Sequence, residues 1–150
     1  MTIGHFYFLN EQYDKDFPNP HFMNASKEDN HNRPCFCAFA DNGVFWLIPI
    51  SSRVDKFERI YNQKIARYGK CDTIDFCEIL GHRKAVLLQN MCPVTDRYIK
   101  NEYISDGTPV QINHKDRKKL ISKAKKVVAL QKKGLNLIFG DVLETLTCLQ

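Results

Sequence analysis

Residues 34–53 read PCFCAFADNGVFWLIPISSR. Two apolar runs, 34–40 and 44–50, flank Asp41-Asn42-Gly43, and an Asn-Gly pair tolerates the positive backbone angles that a tight turn demands. The spacing predicts an antiparallel hairpin. Its second strand then ends on two hydroxyls and a cation, Ser51, Ser52 and Arg53. Side chains at a strand end are held by a rigid sheet, and a cation beside hydroxyls can bind phosphate oxygens. A Ser-Ser turn leaving a hairpin is also common structural punctuation, so the chemical reading needs support from elsewhere in the chain.

Working outward, residues 3–9 (IGHFYFL) are short, aromatic and bounded by polar residues, which suits a first strand. Residues 10–17 have room for one or two helical turns before Pro18. Residues 19–33 are polar and rich in Asn and His, and predict a long exposed loop. Beyond the hairpin, Phe57, Ile60, Tyr61, Ile65 and Tyr68 recur at helical intervals and predict an amphipathic helix over 57–69. Residues 73–80 and 84–89 form a second pair of strands about a turn at Gly81-His82-Arg83, closed by Pro93. Residues 96–103 read as helical and 110–112 as one more short strand.

The next segment is a long helix in which Leu120, Ile121, Ala124, Val127 and Val128 share one stripe. Lys118, Lys125 and Lys132 recur at heptad spacing on another side, beside Lys115, Lys119, Lys126 and Lys133. Gly134 is its stop. Residues 135–149 open as LNLIF, and Asp141 is placed to start a last short helix.

Composition bounds the rest. A chain of 150 residues with 43% hydrophobic content is the size of one domain with a proper core. It contains no run near the roughly 20 apolar residues of a membrane span, and its start lacks a basic leader or small-residue cleavage site, so a cytoplasmic protein is expected. The six cysteines show no CxxC pair and no zinc spacing, and are expected as reduced thiols, most of them in the core. The net charge of +5 has a local origin: residues 115–133 hold nine Lys/Arg against one acid, leaving 13 basic and 16 acidic residues elsewhere. Such a helix fits a polyanionic partner, although a lysine face also serves solubility alone. Tyr13, Phe17, His21, Tyr61 and Tyr68 lie among the charges as candidate stacking surfaces for single-stranded bases.

Hydrolase chemistry of the serine-triad kind has no GxSxG elbow here, and none of His5, His21, His31, His82 and His114 is singled out as a partner base. The acids are scattered rather than clustered for glycoside or metal-nuclease chemistry. RNA needs neither, because its 2'-hydroxyl can attack the adjacent phosphate once its proton is removed and the developing charge is neutralised. Ser51 and Ser52 would hydrogen-bond that phosphate, with Arg33, Arg53 or Lys56 supplying positive charge. The proton carrier is left open.

Four stretches occur in order: HFYFLNEQY (5–13), NRPCFCAF (32–39), WLIPISS (46–52) and LLQNMCPV (87–94). Together the chain resembles the endoribonuclease toxin family of type III toxin-antitoxin systems (ToxN/AbiQ/CptN), its CptN members above all. The resemblance implies an α+β fold in which a twisted antiparallel sheet forms an SH3-like, Kid/MazF-like barrel surrounded by helices. It implies metal-independent RNA cleavage to a 2',3'-cyclic phosphate, without cofactors, on cellular or phage RNA. It further implies inhibition by a structured, repeated antitoxin RNA of pseudoknot type that the enzyme processes, in a closed protein-RNA assembly.

By the same resemblance Ser51 and Ser52 contact phosphate and 2'-hydroxyl, Arg33 stabilises the charged transition state, and Tyr13 stacks on or hydrogen-bonds the RNA. Family members follow the hydroxyl pair with Pro-Lys. Here Arg53-Val54-Asp55-Lys56 follows, so Arg53 or Lys56 is expected to replace the displaced lysine. Cys37 stands where relatives often have glycine. Arg53, Lys115, Lys118, Lys119, Lys125, Lys126 and Lys132 are the expected RNA-binding cations. A non-catalytic RNA-binding module and a Kid/MazF-like toxin held by a protein antitoxin are the alternatives.

Overall fold

The computed structural model describes residues 1–19 and 33–150. The exposed loop expected over 19–33, with His21 and His31, lies almost entirely outside the described residues. The architecture is mixed α+β: a large antiparallel sheet carries four helices, and no closed barrel forms among the described residues.

The opening hairpin is β2 (Cys35–Asp41) and β3 (Val44–Ser51). Asn42 and Gly43 adopt φ of 52° and 79°, the pair of left-handed angles that matches strand twist in a two-residue turn. The strands run Asp41↔Val44 to Cys35↔Pro49, with a bulge between Cys37 and Phe39. Both faces are covered, which is why neither run alternates polar and apolar. Phe36, Ala38, Trp46, Ile48 and Ile50 enter the main core, whereas Cys35, Cys37 and Leu47 enter a second cluster on the other face.

β1 (Phe6–Leu9) extends the sheet beside β2, and α1 (Glu11–Asp16) follows it, its first turn capped by the Asn10 side chain accepting from Tyr13 N–H. The far edge of β3 is shared. Its first half, Phe45 to Leu47, pairs with β6 (Cys92–Val94), and its end, Ile50 and Ser51, pairs with β5 (His82–Val86). Pro49 sits at the changeover, where a missing N–H breaks no ladder; its carbonyl accepts from Leu87 N–H at 3.0 Å. Pro93 therefore lies inside a strand rather than ending a hairpin.

Other expected boundaries move. α2 (Val54–Tyr68) begins one turn before Phe57 and ends at Gly69, φ 78°. β4 (Asp75–Ile79) and β5 meet at Leu80 and Gly81, with φ 51° and 81°, so His82 and Arg83 are strand residues and not the turn. Only a 3-10 turn, Asp96–Tyr98, forms where a helix is expected over 96–103. It leads into β7 (Ile99–Glu102), which completes the sheet beside β1. The strand expected at 110–112 is replaced by a small hairpin of β8 (Ile104–Ser105) and β9 (Thr108–Pro109).

α3 (His114–Lys132) matches the expected stripe, with Leu120, Ala124, Val127 and Val128 buried and the Asn113 side chain capping Asp116 N–H at 2.8 Å. The Gln131 side-chain carbonyl accepts from Leu137 and Ile138 N–H, which folds the chain back into α4 (Val142–Leu149). All six cysteines are free thiols, five of them buried. No described helix is long and apolar enough to cross a membrane.

Candidate active site

The end of β3 opens into a groove of about 460 Å³ whose lining includes Arg33, Ser51, Ser52, Arg53, His82, Lys84 and Tyr103. Four pieces of chain make it: the approach to β2, the β3-to-α2 junction, the β4-β5 hairpin, and Tyr103 just after Glu102. The end of the strand separates the two serines: β3 stops at Ser51, and Ser52 lies beyond it. Ser51 continues the buried face opposite Ile50, pairs with Ala85 and is 1% exposed, whereas Ser52 turns outward and is exposed.

Each hydroxyl is held by a nitrogen donor. Arg53 N–H donates to Ser51 Oγ at 3.1 Å, and the Lys84 ammonium donates to Ser52 Oγ at 3.0 Å. A hydroxyl has one hydrogen to give and lone pairs to receive. With one N–H donor on each oxygen, the O–H of each serine is left to donate: Ser52 is exposed in the groove, whereas Ser51 is 1% exposed. α2 begins directly afterwards, at Val54, and its Arg53 cap position makes no side-chain cap hydrogen bond. Its first-turn N–H groups and macrodipole add positive potential at the same strand end. No carboxylate lines the groove among the described residues, while Arg33, Arg53 and Lys84 do. The described lining is therefore positively charged.

The expected site residues divide. Ser51, Ser52, Arg33 and Arg53 are brought together. Lys56 is exposed on α2, its ammonium 5.3 Å from the Phe57 ring centroid, and does not line the groove. Arg53 lines the groove as expected, and a further cation, Lys84 from the neighbouring strand, donates to Ser52 Oγ. Tyr13 is also displaced from its expected position. It is 4% exposed, its hydroxyl donates to Pro93 O at 2.7 Å, and it packs against Phe17 and Tyr98. Burial pushes its hydroxyl pKa well above the ordinary phenol value. Tyr13 lines a separate pocket of about 240 Å³ with Asp16, Cys92, Asp141 and Glu144, so stacking on RNA in the serine groove is not open to it.

The basic helix is likewise divided. Lys119 lies 3.2 Å from Asp75 and 3.6 Å from Asp116, Lys123 lies 2.8 Å from Asp75, and Lys126 lies 3.2 Å from Asp72. Lys132 lies 3.2 Å from Asp41. Burial would raise the Asp75 pKa, but the Lys123 ammonium, the Phe76 N–H and Lys119 outweigh it and hold the carboxyl below its usual value. Lys119 and Lys123 therefore fasten α3 to the start of β4, and Lys126 fastens it to the segment just before. Lys115, Lys118 and Lys125 are exposed, with no carboxylate within ion-pair distance among the described residues.

Sequence reasoning missed His82, Lys84 and Tyr103. Lys84 was legible in part, since a strand beginning at His82 puts 82 and 84 on one face. Leucine rarely adopts positive φ, however, and Leu80 hides the turn that sets this register. No protein-family model matches the chain, and no curated protein matches its sequence.

Proposed function

We propose that this protein is a metal-independent endoribonuclease that cuts RNA by attack of its own 2'-hydroxyl, leaving a 2',3'-cyclic phosphate. The observation that carries the reading is the Ser51–Ser52 pair at the end of β3, its oxygens held by Arg53 N–H and Lys84 inside a groove lined by cations. A phosphodiester set in the groove receives the two O–H donors and the Arg33 guanidinium on its non-bridging oxygens. These contacts strengthen as charge builds on the pentacoordinate phosphorane, which is where donors fixed in advance gain most. Lys84 orients Ser52 and adds charge next to it. The serines are donors only, too weak as acids or bases to carry the proton.

As a type III toxin, the protein would act in the cytoplasm on cellular or phage RNA and be restrained by a folded, repeated antitoxin RNA in a closed assembly. Lys115, Lys118 and Lys125, uncommitted to the fold, are the cations for that RNA; Lys119, Lys126 and Lys132 contribute less because carboxylates already neutralise them. The shared far edge of β3 supports an opened SH3-like barrel as the sheet's parent form.

Purified protein incubated with single-stranded RNA in EDTA tests the activity. Fragments ending in a cyclic phosphate are expected. RNA that is bound yet stays intact would make the protein a binding module instead.

A further inference from the structure

The groove holds its phosphate donors in place but leaves open what takes the 2'-proton. Extending the ribonuclease reading, on which this step rests, we propose that His82 is the general base. The argument is positional. Along β5, side chains alternate between faces. Arg83 points away, its guanidinium 2.8 Å from Glu58 and 4.3 Å over the Phe76 ring. Lys84 points into the groove and holds Ser52. His82, two residues before Lys84, shares its face and lines the same groove, about 6–7 Å further along the strand.

His82 thus stands one same-face position along β5 from the lysine that holds Ser52, in the groove both serines line. It is exposed, at the groove's open end, where water can exchange protons with it. The other described histidines are placed elsewhere: His5 hydrogen-bonds Glu102 at 2.7 Å, and His114 starts α3. Imidazole is also the side chain suited to carrying a proton near neutral pH. The ionisable groups sharing the groove are Arg33, Arg53, Lys84 and Tyr103.

The step balances as follows. The His82 ring accepts the 2'-hydroxyl proton while the 2'-oxygen forms a bond to phosphorus and the bond from phosphorus to the 5'-oxygen breaks. The leaving 5'-oxygen takes a proton from water, and the imidazolium returns its own to water. Ser51, Ser52 and Arg33 carry the phosphorane's charge.

Full-length His82→Gln and wild type would be compared on one single-stranded RNA in EDTA. A second RNA would carry sulfur in place of the 5'-oxygen at the cut, a leaving group that needs no proton. We expect kcat to fall about 10²–10⁴-fold with RNA affinity kept. The loss should be equal on both RNAs, and added imidazole should restore part of it in His82→Ala. Wild-type rates and an unchanged pH profile in His82→Gln would overturn the assignment while leaving the ribonuclease reading intact. Rescue by the 5'-sulfur would overturn it in favour of an acid role. Wild type that cuts neither RNA would overturn the ribonuclease reading and this assignment with it.

Discussion

Ser52 and Lys84 are 32 positions apart in sequence and 3.0 Å apart in space, and the electrostatic account depends on that contact. If Lys84 fixes the hydroxyl that meets the phosphorane, Lys84→Met should cost about 10²–10³-fold in kcat, the range for losing one oriented donor. Ser52→Ala should cost a similar amount, and the double variant little more than either, since the two act as a unit. RNA binding measured in parallel should change only severalfold. Fully additive losses would show that Lys84 works independently of Ser52. Ser51 differs from its neighbour: at 1% exposure its hydroxyl also satisfies Arg53 N–H, so Ser51→Ala should lower stability as well as rate.

At the scale of elements, α3 combines two kinds of lysine, and charge reversal separates them. Lys118→Glu with Lys125→Glu should weaken binding of a structured RNA and flatten its salt dependence while leaving the melting temperature nearly unchanged. Lys123→Met should instead lower the melting temperature and leave the salt dependence alone. Asp75 is the shared anchor, its pKa below the usual carboxyl value in the folded protein. The folded state therefore binds fewer protons there than the unfolded chain. The anchor's contribution is complete above about pH 4 and is lost as pH falls through the lower folded value. Asp75→Asn should cost about 1–3 kcal/mol at neutral pH, part of the penalty for breaking a buried pair because Lys119 and Lys123 stay partly solvated. Its denaturation midpoint should also depend less on pH in that acid window.

The elements were legible in the sequence where the signal is local. Asn42-Gly43 sets its hairpin, the α3 stripe sets its helix, and Gly69 and Gly134 stop theirs. Leu80 gave no such signal, and the β4-β5 turn was misplaced with it, so His82 and Lys84 could not be assigned to the groove. The fate of the lysines was equally hidden, because Asp72 and Asp75 meet α3 only through tertiary packing. At the site, the serine pair was legible as a strand end followed by hydroxyls. Tyr13 lies buried in α1 and away from the serine groove, a placement that a short aromatic stretch does not distinguish from one facing a ligand.

For the molecule as a whole, the sheet places the chemistry. β3 pairs with β2 along one edge and passes from β6 to β5 along the other, with Pro49 at the changeover. Its end is thereby fixed on both sides where α2 starts. The groove lies at that junction, lined also by Arg33. The activity proposed for it requires a 2'-hydroxyl on the RNA and no metal from solution. The most direct test is the cleavage rate, in EDTA, of an RNA against the same RNA carrying a single 2'-deoxy sugar at the cut nucleotide. The account predicts scission of the first, ending in a cyclic phosphate, and none at that position in the second. Equal cutting of both would contradict it.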